Sequence, residues 1–241
     1  MMPIMKRRHV LLAGLTVVSG LTTTGKHVRA ADALPTIGII GAGHVASTLG
    51  GLWIKAGYRV MFSAQNMRNA KELAASLGPN ASAGTPEEAA QFGMVVLLAV
   101  PYRAIPDIGQ KLTPLLQGKT VLDATNFYPF RDGSIASIAD KDGAGLTTQR
   151  YFPGAHIVRG FNSIDMSVLA SEAGRTPPRL AIPIAGDDVA SVQRVEDLVK
   201  AAGFDPVVTG PLSSSMLFQP GHPGFEMQTD VAGLKSGLGL R

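Results

Sequence analysis

TIGIIGAGHVASTLG, residues 36–50, is the stretch that decides the fold. Its apolar, β-branched start predicts a strand, and the apolar residues after it recur at helical spacing. Between them lies the pattern Gly41-x-Gly43-x-x-Ala46, typical of a turn that directs a helix N-terminus at a pyrophosphate. Gly41 permits the turn, Gly43 leaves the backbone open to phosphates, and Ala46 lets the helix lie close to the strand. The stretch therefore predicts dinucleotide binding, with a purely structural glycine turn as the alternative.

Composition excludes several other classes of protein. A chain of 241 residues, 45% of them hydrophobic, is sufficient for one α/β domain with its own core. The formal charge of +4 arises in residues 1–30, which contain five basic residues and no acid, whereas 17 basic residues face 18 acidic ones in the remainder. A near-neutral body without a basic stripe indicates no nucleic-acid partner. The absence of cysteine excludes disulfides, thiolate metal sites and a cysteine nucleophile, and no metal site is predicted.

The first 30 residues are typical of an export signal. A charged start at Lys6-Arg7-Arg8 precedes the apolar run 10–18, and Val28-Arg29-Ala30 resembles a cleavage site. Arg7-Arg8 followed by apolar residues indicates the twin-arginine route. Because the apolar run is short for a membrane span, we expect an exported, periplasmic or extracytoplasmic protein without stable membrane insertion after cleavage. An uncleaved N-terminal anchor is the alternative.

Apolar runs alternate with helical patterns along the rest of the chain. The predicted strands after the first are residues 59–63, 82–83, 94–100, 120–123, 156–160, 180–185 and 205–208. This alternation predicts an α/β fold, a doubly wound, mainly parallel Rossmann sheet flanked by helices, in a single domain with no large helical C-terminal domain. We expect the domain to span residues 31–218, with a long polar connection at residues 127–150 and a flexible, glycine-rich tail at residues 219–241.

The end of the second predicted strand bears on the choice of coenzyme. NAD-specific sites usually place a carboxylate there, against the ribose hydroxyls. This chain instead carries four residues that can donate hydrogen bonds to a 2′-phosphate, namely Ser63, Gln65, Asn66 and Arg68. The pattern favours NADP over NAD. Alternatively, Arg68 belongs to the solvated face of the helix that follows.

Motifs spread over nearly the whole chain after residue 36 carry a resemblance to a known family. They are Ile37 to Gly50, Ala99-Val100-Pro101, Asp123 to Asn126, Val158 to Ser163, Ala185 to Asp188 and Gly210-Pro211-Leu212. In their order and spacing the chain resembles the NADP oxidoreductases dependent on the deazaflavin coenzyme F(420), a family related to the cytosolic domain of eukaryotic metalloreductases. The resemblance implies an NADP-dependent oxidoreductase that transfers a hydride between NADP(H) and a deazaflavin or flavin-type acceptor.

The resemblance also implies positions for the coenzyme. At the pyrophosphate it implies Gly41, Gly43, His44, Val45 and Ala46. At the adenosine ribose it implies the region from Ser63 to Arg68, in which the family usually has an arginine at the position of Gln65. Beside the nicotinamide half it implies Val100 and Pro101.

A planar acceptor is expected to stack on the nicotinamide at the carboxyl edge of the sheet. The candidates for this pocket are Asn126, which we also count among the coenzyme contacts, and Phe127, Phe161, Asn162 and Ser163. Both phenylalanines are alternatively core residues. No catalytic residue is assigned, and His156, within a strand pattern, is interpreted as structural.

The expected partner is a small-molecule redox acceptor, and a homodimer is left open. Two other functions remain as alternatives, because the fold alone does not establish turnover. One is a non-catalytic NAD(P)-binding or sensing protein. The other is a small imine or β-hydroxyacid reductase-like dehydrogenase.

Overall fold

The computed structural model describes residues 34–240, together with Met1. The export signal expected in residues 1–30 lies outside the described residues and stays a prediction. A compact unit begins at Leu34. None of its described helices combines the length and the apolar character needed to cross a membrane.

Strands and helices alternate through most of this unit. The strands are β1 (Ile37–Ile40), β2 (Val60–Ser63), β3 (Ala81–Gly84), β4 (Val95–Leu98), β5 (Thr120–Asp123), β6 (His156–Arg159), β7 (Ala181–Gly186) and β8 (Asp205–Gly210). The helices are α1 (His44–Lys55), α2 (Met67–Leu77), α3 (Pro86–Phe92), α4 (Ile105–Leu116), α5 (Pro129–Asp132), α6 (Ser134–Asp142), α7 (Ala144–Tyr151), α8 (Met166–Glu172), α9 (Val189–Ala201) and α10 (Val231–Gly237). Short 3-10 helices lie at Tyr102–Ala104 and Leu212–Phe218.

All eight strands form one sheet in the order β3-β2-β1-β4-β5-β6-β7-β8. Every neighbouring pair is parallel except β6 and β7, which pair antiparallel. The winding reverses between β1 and β4, and open sheets of this kind bind ligands beyond the carboxyl ends of the strands at such a reversal. The predicted doubly wound, mainly parallel fold is confirmed.

Backbones approach one another closely around β1. A Cβ atom on Gly38 would overlap the carbonyl oxygen of Ala89 in α3, and a Cβ on Gly41 would overlap the carbonyl oxygen of Ala99 after β4. Gly41 also has a φ of +132°, which side-chain-bearing residues rarely adopt. Glycine at both positions therefore lets α3 and the β4 loop lie directly against β1.

The sheet carries a hydrophobic core on each face, because alternate residues of a strand point to opposite sides. On one face Trp53 of α1 is fully buried, meets the ring of Phe161 edge-on at 6.2 Å, and donates a hydrogen bond to the carbonyl of Leu198 in α9. On the other face Tyr102 packs edge-on against Phe127 at 6.1 Å. Both faces are thus covered, as the apolar strands require.

Residues 127–150 differ from the predicted polar connection. They form the three short helices α5, α6 and α7, which cover the sheet beside Tyr102. Ile135, Ala136 and Ala139 lie at helical spacing and are buried in that core. Gly133 and Gly143, both at positive φ, break the helices apart, so that no segment was long enough to show a clear period in the sequence.

Residues 219–240 are not the loose tail expected from their glycine content. Leu234 of α10 is fully buried in a small cluster with Ala181 and Val207, and Asp230 caps the helix. Upstream, the backbone N–H of Ala181 donates to the carbonyl of Thr229. A short apolar face and backbone pairing with the sheet therefore anchor this C-terminal segment.

A buried ion pair joins the carboxyl ends of β5 and β6. The side chains of Asp123 and Arg159 are both fully buried, and their nearest nitrogen and oxygen atoms are 2.9 Å apart. Asp123 also accepts hydrogen bonds from the hydroxyls of Thr125 and Thr148, and Arg159 donates to the carbonyl of Thr125. The network fixes the backbone that leads from β5 toward the carboxyl edge.

We predict that Arg159→Met lowers the free energy of unfolding by about 3–5 kcal/mol, because it leaves the Asp123 carboxylate buried without a counter-ion. Urea denaturation measures the loss. The matched control is Arg150→Met, which breaks the largely exposed Arg150–Asp142 pair and is expected to cost less than about 1 kcal/mol. The double variant Asp123→Asn/Arg159→Met should regain much of the loss, and equal small losses in both single variants would contradict the prediction.

Candidate functional site

A cleft of about 320 Å³ opens at the carboxyl edge of the sheet, where the winding reverses. The start of α1 and the loops after β4, β5 and β6 form most of its walls. Its lining residues are Gly43, His44, Val45, Ala99, Val100, Pro101, Ala124, Thr125, Asn126, Tyr128, Arg131, Asn162, Ile164, Asp165, Met166, Phe225 and Glu226. Of the predicted site residues, seven line this cleft: Gly43, His44, Val45, Val100, Pro101, Asn126 and Asn162.

The turn between β1 and α1 leaves the helix N-terminus open. Gly43 is the N-cap of α1 and supplies no capping side chain, so the N–H groups of the first turn are not capped from there. A Cβ on Gly43 would have no protein atom within 4 Å, which means that the space beside it is free for a ligand. Gly41 and Ala46 do not line the cleft. Gly41 makes the turn, and Ala46 lies on the buried face of α1. Free N–H groups and the helix dipole at this point suit an anion.

A second pocket, of about 390 Å³, adjoins the cleft at Gly43. Its other lining residues are Ala42, Ala64, Gln65, Asn66 and Asn69. The side-chain oxygen of Asn66 accepts a hydrogen bond from the N–H of Arg68 and so caps α2. Ser63 is buried and donates its hydroxyl to the carbonyl of Ile39. Gln65 and Asn66 therefore face the second pocket, whereas Ser63 ties β2 to β1.

Arg68 lies outside both pockets as the structure describes them. Its side chain is 80% exposed and its Nε lies 3.5 Å from a carboxylate oxygen of Glu72, one helical turn further along α2. This is the solvated-face alternative that the sequence left open. A contact between Arg68 and a ligand in the second pocket would require this exposed pair to open.

Two asparagines hold the centre of the cleft. The amide nitrogen of Asn126 donates to the carbonyl of Asn162 at 2.6 Å, and the amide nitrogen of Asn162 donates to the side-chain oxygen of Asn126 and to the carbonyl of Phe218. Both side chains are thereby fixed between the loops after β5 and β6 and the 3-10 helix Leu212–Phe218.

The neighbouring candidates have structural positions. Phe127 and Phe161 are buried in the two cores, and Ser163 is fully buried. His156 begins β6 and thus lies at the amino edge of the sheet, away from the cleft. These positions agree with the alternative that both phenylalanines are core residues. They also agree with the interpretation of His156 as a structural residue.

The sequence did not indicate most of the outer cleft. We call Tyr128, Arg131, Ile164, Asp165, Met166, Phe225 and Glu226 the acceptor half of the cleft. They come from the loop before α5, from the loop before α8 and from the C-terminal segment. Phe225 lies 59 residues after Met166 in the sequence. No local pattern could therefore have assigned Phe225 and Glu226 to this site.

Tyr128 and Arg131 form one wall of the acceptor half. The guanidinium of Arg131 lies over the Tyr128 ring, 4.9 Å from its centre, and binds both carboxylate oxygens of Asp132 at 2.8–3.1 Å. It also donates to the carbonyl of Asn126 at 2.6 Å. Burial raises the pKa of Asp132, but the hydrogen bonds from Arg131 and from the N–H groups of Tyr128 and Arg103 outweigh it and lower the pKa overall. The Arg131–Asp132 pair is thus ionised and internally neutral.

The C-terminal segment also contributes to the lining of the acceptor half, through Phe225 and Glu226. Glu226 adopts a left-handed backbone with φ of +58°, unusual for a residue with a side chain, and its N–H donates to the carbonyl of Ser163 at 2.7 Å. The N–H of Gly224 donates to the carbonyl of Leu217. These bonds hold Phe225 and Glu226 at the cleft. Burial, followed by smaller contributions from the carboxylates of Glu226 and Asp165, raises the pKa of Tyr128, whereas Arg131 and Asn126 lower it.

Comparison with known proteins agrees with this architecture. The family model described as NADP oxidoreductase, coenzyme F420-dependent, matches residues 36–127. This segment extends from β1 to just beyond β5 and contains the turn at Gly43 and the cleft residues up to Asn126.

Three relatives extend the comparison to most of the chain. Metalloreductase STEAP3 of Rattus norvegicus is 26% identical to this chain over 181 residues. The matched segment covers 75% of this chain but 35% of the relative, so the chain spans about a third of the length of the curated relatives it matches. The hypothetical protein SMa0349 of Sinorhizobium meliloti has a TM-score of 0.69 at 26% identity, over 81% of this chain and 95% of that one. A protein of Arthrobacter sp. FB24 assigned as an F420-dependent NADP reductase shares the fold, with a TM-score of 0.66 at 20% identity over 76% and 87% of the two chains. The resemblance inferred from the motifs is confirmed, since residues 36–127 match the model of the NADP oxidoreductase family dependent on coenzyme F420.

Proposed function

We propose that this chain is an NADPH-dependent oxidoreductase that passes a hydride to a planar acceptor of the flavin or deazaflavin type. The observation that carries the proposal is the continuous cleft from the open helix N-terminus at Gly43 to the acceptor half. A dinucleotide anchored at Gly43 would extend past Val100 and Pro101 and bring its nicotinamide beside Asn126. The acceptor half would then receive a ring against the nicotinamide.

The residues present fit such a coenzyme. The space beside Gly43 is open, and uncapped N–H groups of α1 suit a pyrophosphate. The second pocket, reached through the same glycine, offers the amides of Gln65 and Asn69 to an adenosine ribose. In the cleft, Val100 and Pro101 provide an apolar wall for one face of a nicotinamide.

When bound, NADPH supplies a hydride from C4 of its dihydronicotinamide to position 5 of the acceptor ring, and one proton from water completes the two-electron reduction. The protein contributes orientation and exclusion of water. Asn126 and Asn162 are already held in place by their mutual hydrogen bonds, so little ordering is needed when a ring enters. Tyr128, Met166 and Phe225 shield the acceptor half with apolar surface.

We propose NADPH as the preferred coenzyme, because no carboxylate lines the second pocket among the described residues. Arg68 would have to leave Glu72 to reach a 2′-phosphate. An exposed ion pair contributes about 0–1 kcal/mol, whereas a hydrogen bond to a charged group contributes about 1.5–3 kcal/mol. The exchange of Glu72 for a phosphate is therefore favourable.

Gly43→Val should abolish nucleotide binding while preserving the fold. The Gly43 backbone, with φ of −84° and ψ of −171°, is extended and accessible to valine, and its Cβ would meet no protein atom. The added side chain would instead fill the space assigned to the pyrophosphate. Fluorescence titration with NADPH measures affinity, and circular dichroism with a thermal melt is the control. Near-normal affinity in a folded variant would refute the assignment.

Direct hydride transfer predicts that deuterium from C4-labelled NADPH appears at carbon 5 of reduced 5-deazariboflavin, an acceptor whose reduced carbon does not exchange with water. Mass spectrometry of the product measures the label. Reduced product containing solvent hydrogen at that carbon would exclude direct transfer. Bound NADPH without reduction of flavin, deazaflavin or ferric acceptors would favour the non-catalytic alternative.

Arg68→Ala should weaken NADPH binding about ten- to hundredfold and leave NADH binding nearly unchanged, because only NADPH carries the 2′-phosphate. Titration of both coenzymes at two salt concentrations tests this, since salt should narrow the difference between them. Lys71→Ala, which removes another exposed cation from α2, is the matched control. Equal losses for both coenzymes would show that Arg68 supports the helix and not the phosphate.

A further inference from the structure

We propose that Phe130 covers the outer end of the acceptor ring and holds that ring against the nicotinamide. This proposal rests on the proposed function and adds one contact residue to its acceptor site. Phe130 does not line the cleft itself, but its ring packs against the ring of Tyr128, which does. The two ring centres are 5.7 Å apart and the ring planes are tilted by 31°. The Phe130 ring therefore continues the aromatic wall of the cleft outward.

The Phe130 ring is 88% exposed, although the short helix α5 that carries it is firmly held. The buried carboxylate of Asp132 accepts hydrogen bonds from the N–H groups of Tyr128 and Arg103, at 2.8 and 3.2 Å. The guanidinium of Arg103 also donates to the carbonyl of Arg131 at 3.4 Å. These bonds tie α5 to the 3-10 helix that follows β4. An aromatic ring presented on a fixed turn loses little conformational freedom when a ligand covers it.

The size of the cleft is the reason to place the end of the acceptor at Phe130. Its volume of about 320 Å³ is at the lower end of the range of about 300–1,000 Å³ for small-molecule sites. The nicotinamide, beside Asn126, would take the inner part of this volume. A three-ring acceptor stacked on the nicotinamide would then project past Tyr128, and its outermost ring would meet Phe130.

Exposed apolar surface at the mouth of the cleft favours the same occupant. Met166, which lines the acceptor half, is 45% exposed, so that two large apolar side chains face water at this mouth. A planar ring that covers them removes apolar surface from water, and it meets Phe130 by aromatic stacking. Cover at the outer end would keep the ring from sliding outward, so that its position 5 stays opposite C4 of the nicotinamide.

The first test compares variants of the full chain in the reduction of 5-deazariboflavin by NADPH. Phe130→Ala should raise the KM for the acceptor about tenfold, less than complete burial of a phenylalanine ring would contribute. The affinity for NADPH and the melting temperature should not change, because Phe130 is exposed and lies away from Gly43. Phe130→Trp keeps a flat ring and should restore the KM. The matched control is Ile138→Ala, which removes an exposed apolar side chain of α6 outside the cleft and should leave the KM unchanged.

The second test is hydroxyl-radical footprinting of the unmodified chain, read by mass spectrometry. Oxidation of Phe130 should fall severalfold when NADP⁺ and 5-deazariboflavin are both present. Val189 of α9 is the internal reference, since it is 84% exposed and lies outside the cleft.

An unchanged acceptor KM in Phe130→Ala, or an unprotected Phe130 with both ligands present, would overturn the proposal. Protection of Phe130 that rises with protein concentration in the absence of ligands would also overturn it, because the ring would then contact a second copy of the chain. Failure to reduce the acceptor while Phe130 is protected would refute the proposed function and leave the ring contact standing.

Discussion

Direct contact between backbones around β1 is the constraint on which the architecture depends. Gly38 and Gly41 have no room for a Cβ, since carbonyl oxygens of α3 and of the β4 loop occupy that space. The strand can therefore lie between β2 and β4 with helices close on both sides, and the winding of the sheet reverses beside it. The cleft exists because the loops after β1 and β4 diverge at this reversal.

Buried polar groups beneath the cleft fix the loops that line it. The buried pair of Asp123 and Arg159 fixes the ends of β5 and β6, and the amides of Asn126 and Asn162 join the loops that follow. A buried ion pair contributes little net stability compared with an apolar pair of the same shape, but it penalises any arrangement that separates its partners. The network thus specifies where the two loops that line the cleft lie.

The sequence was sufficient for the sheet and for the open turn at Gly43, because apolar runs and the Gly41-x-Gly43 pattern are local signals. It was insufficient for residues 127–150, whose helices are too short for a period to be visible and are stabilised by tertiary burial of residues such as Ile135. The acceptor half could not be predicted either. The backbone N–H of Glu226 donates to the carbonyl of Ser163, and this bond places Glu226 in the acceptor half. Pairing between segments so far apart in the sequence produces no local pattern in either segment.

The position of the C-terminal segment also sets an order of events during synthesis. Residues 36–127 contribute Gly43, Val100, Pro101 and Asn126 to the cleft, whereas Phe225 and Glu226 are made later, after the whole sheet. A nascent chain therefore contains the open turn at Gly43 before Phe225 and Glu226 exist. The cleft is complete only when the C-terminal segment has been made and the N–H groups of Gly224 and Glu226 have paired with the carbonyls of Leu217 and Ser163.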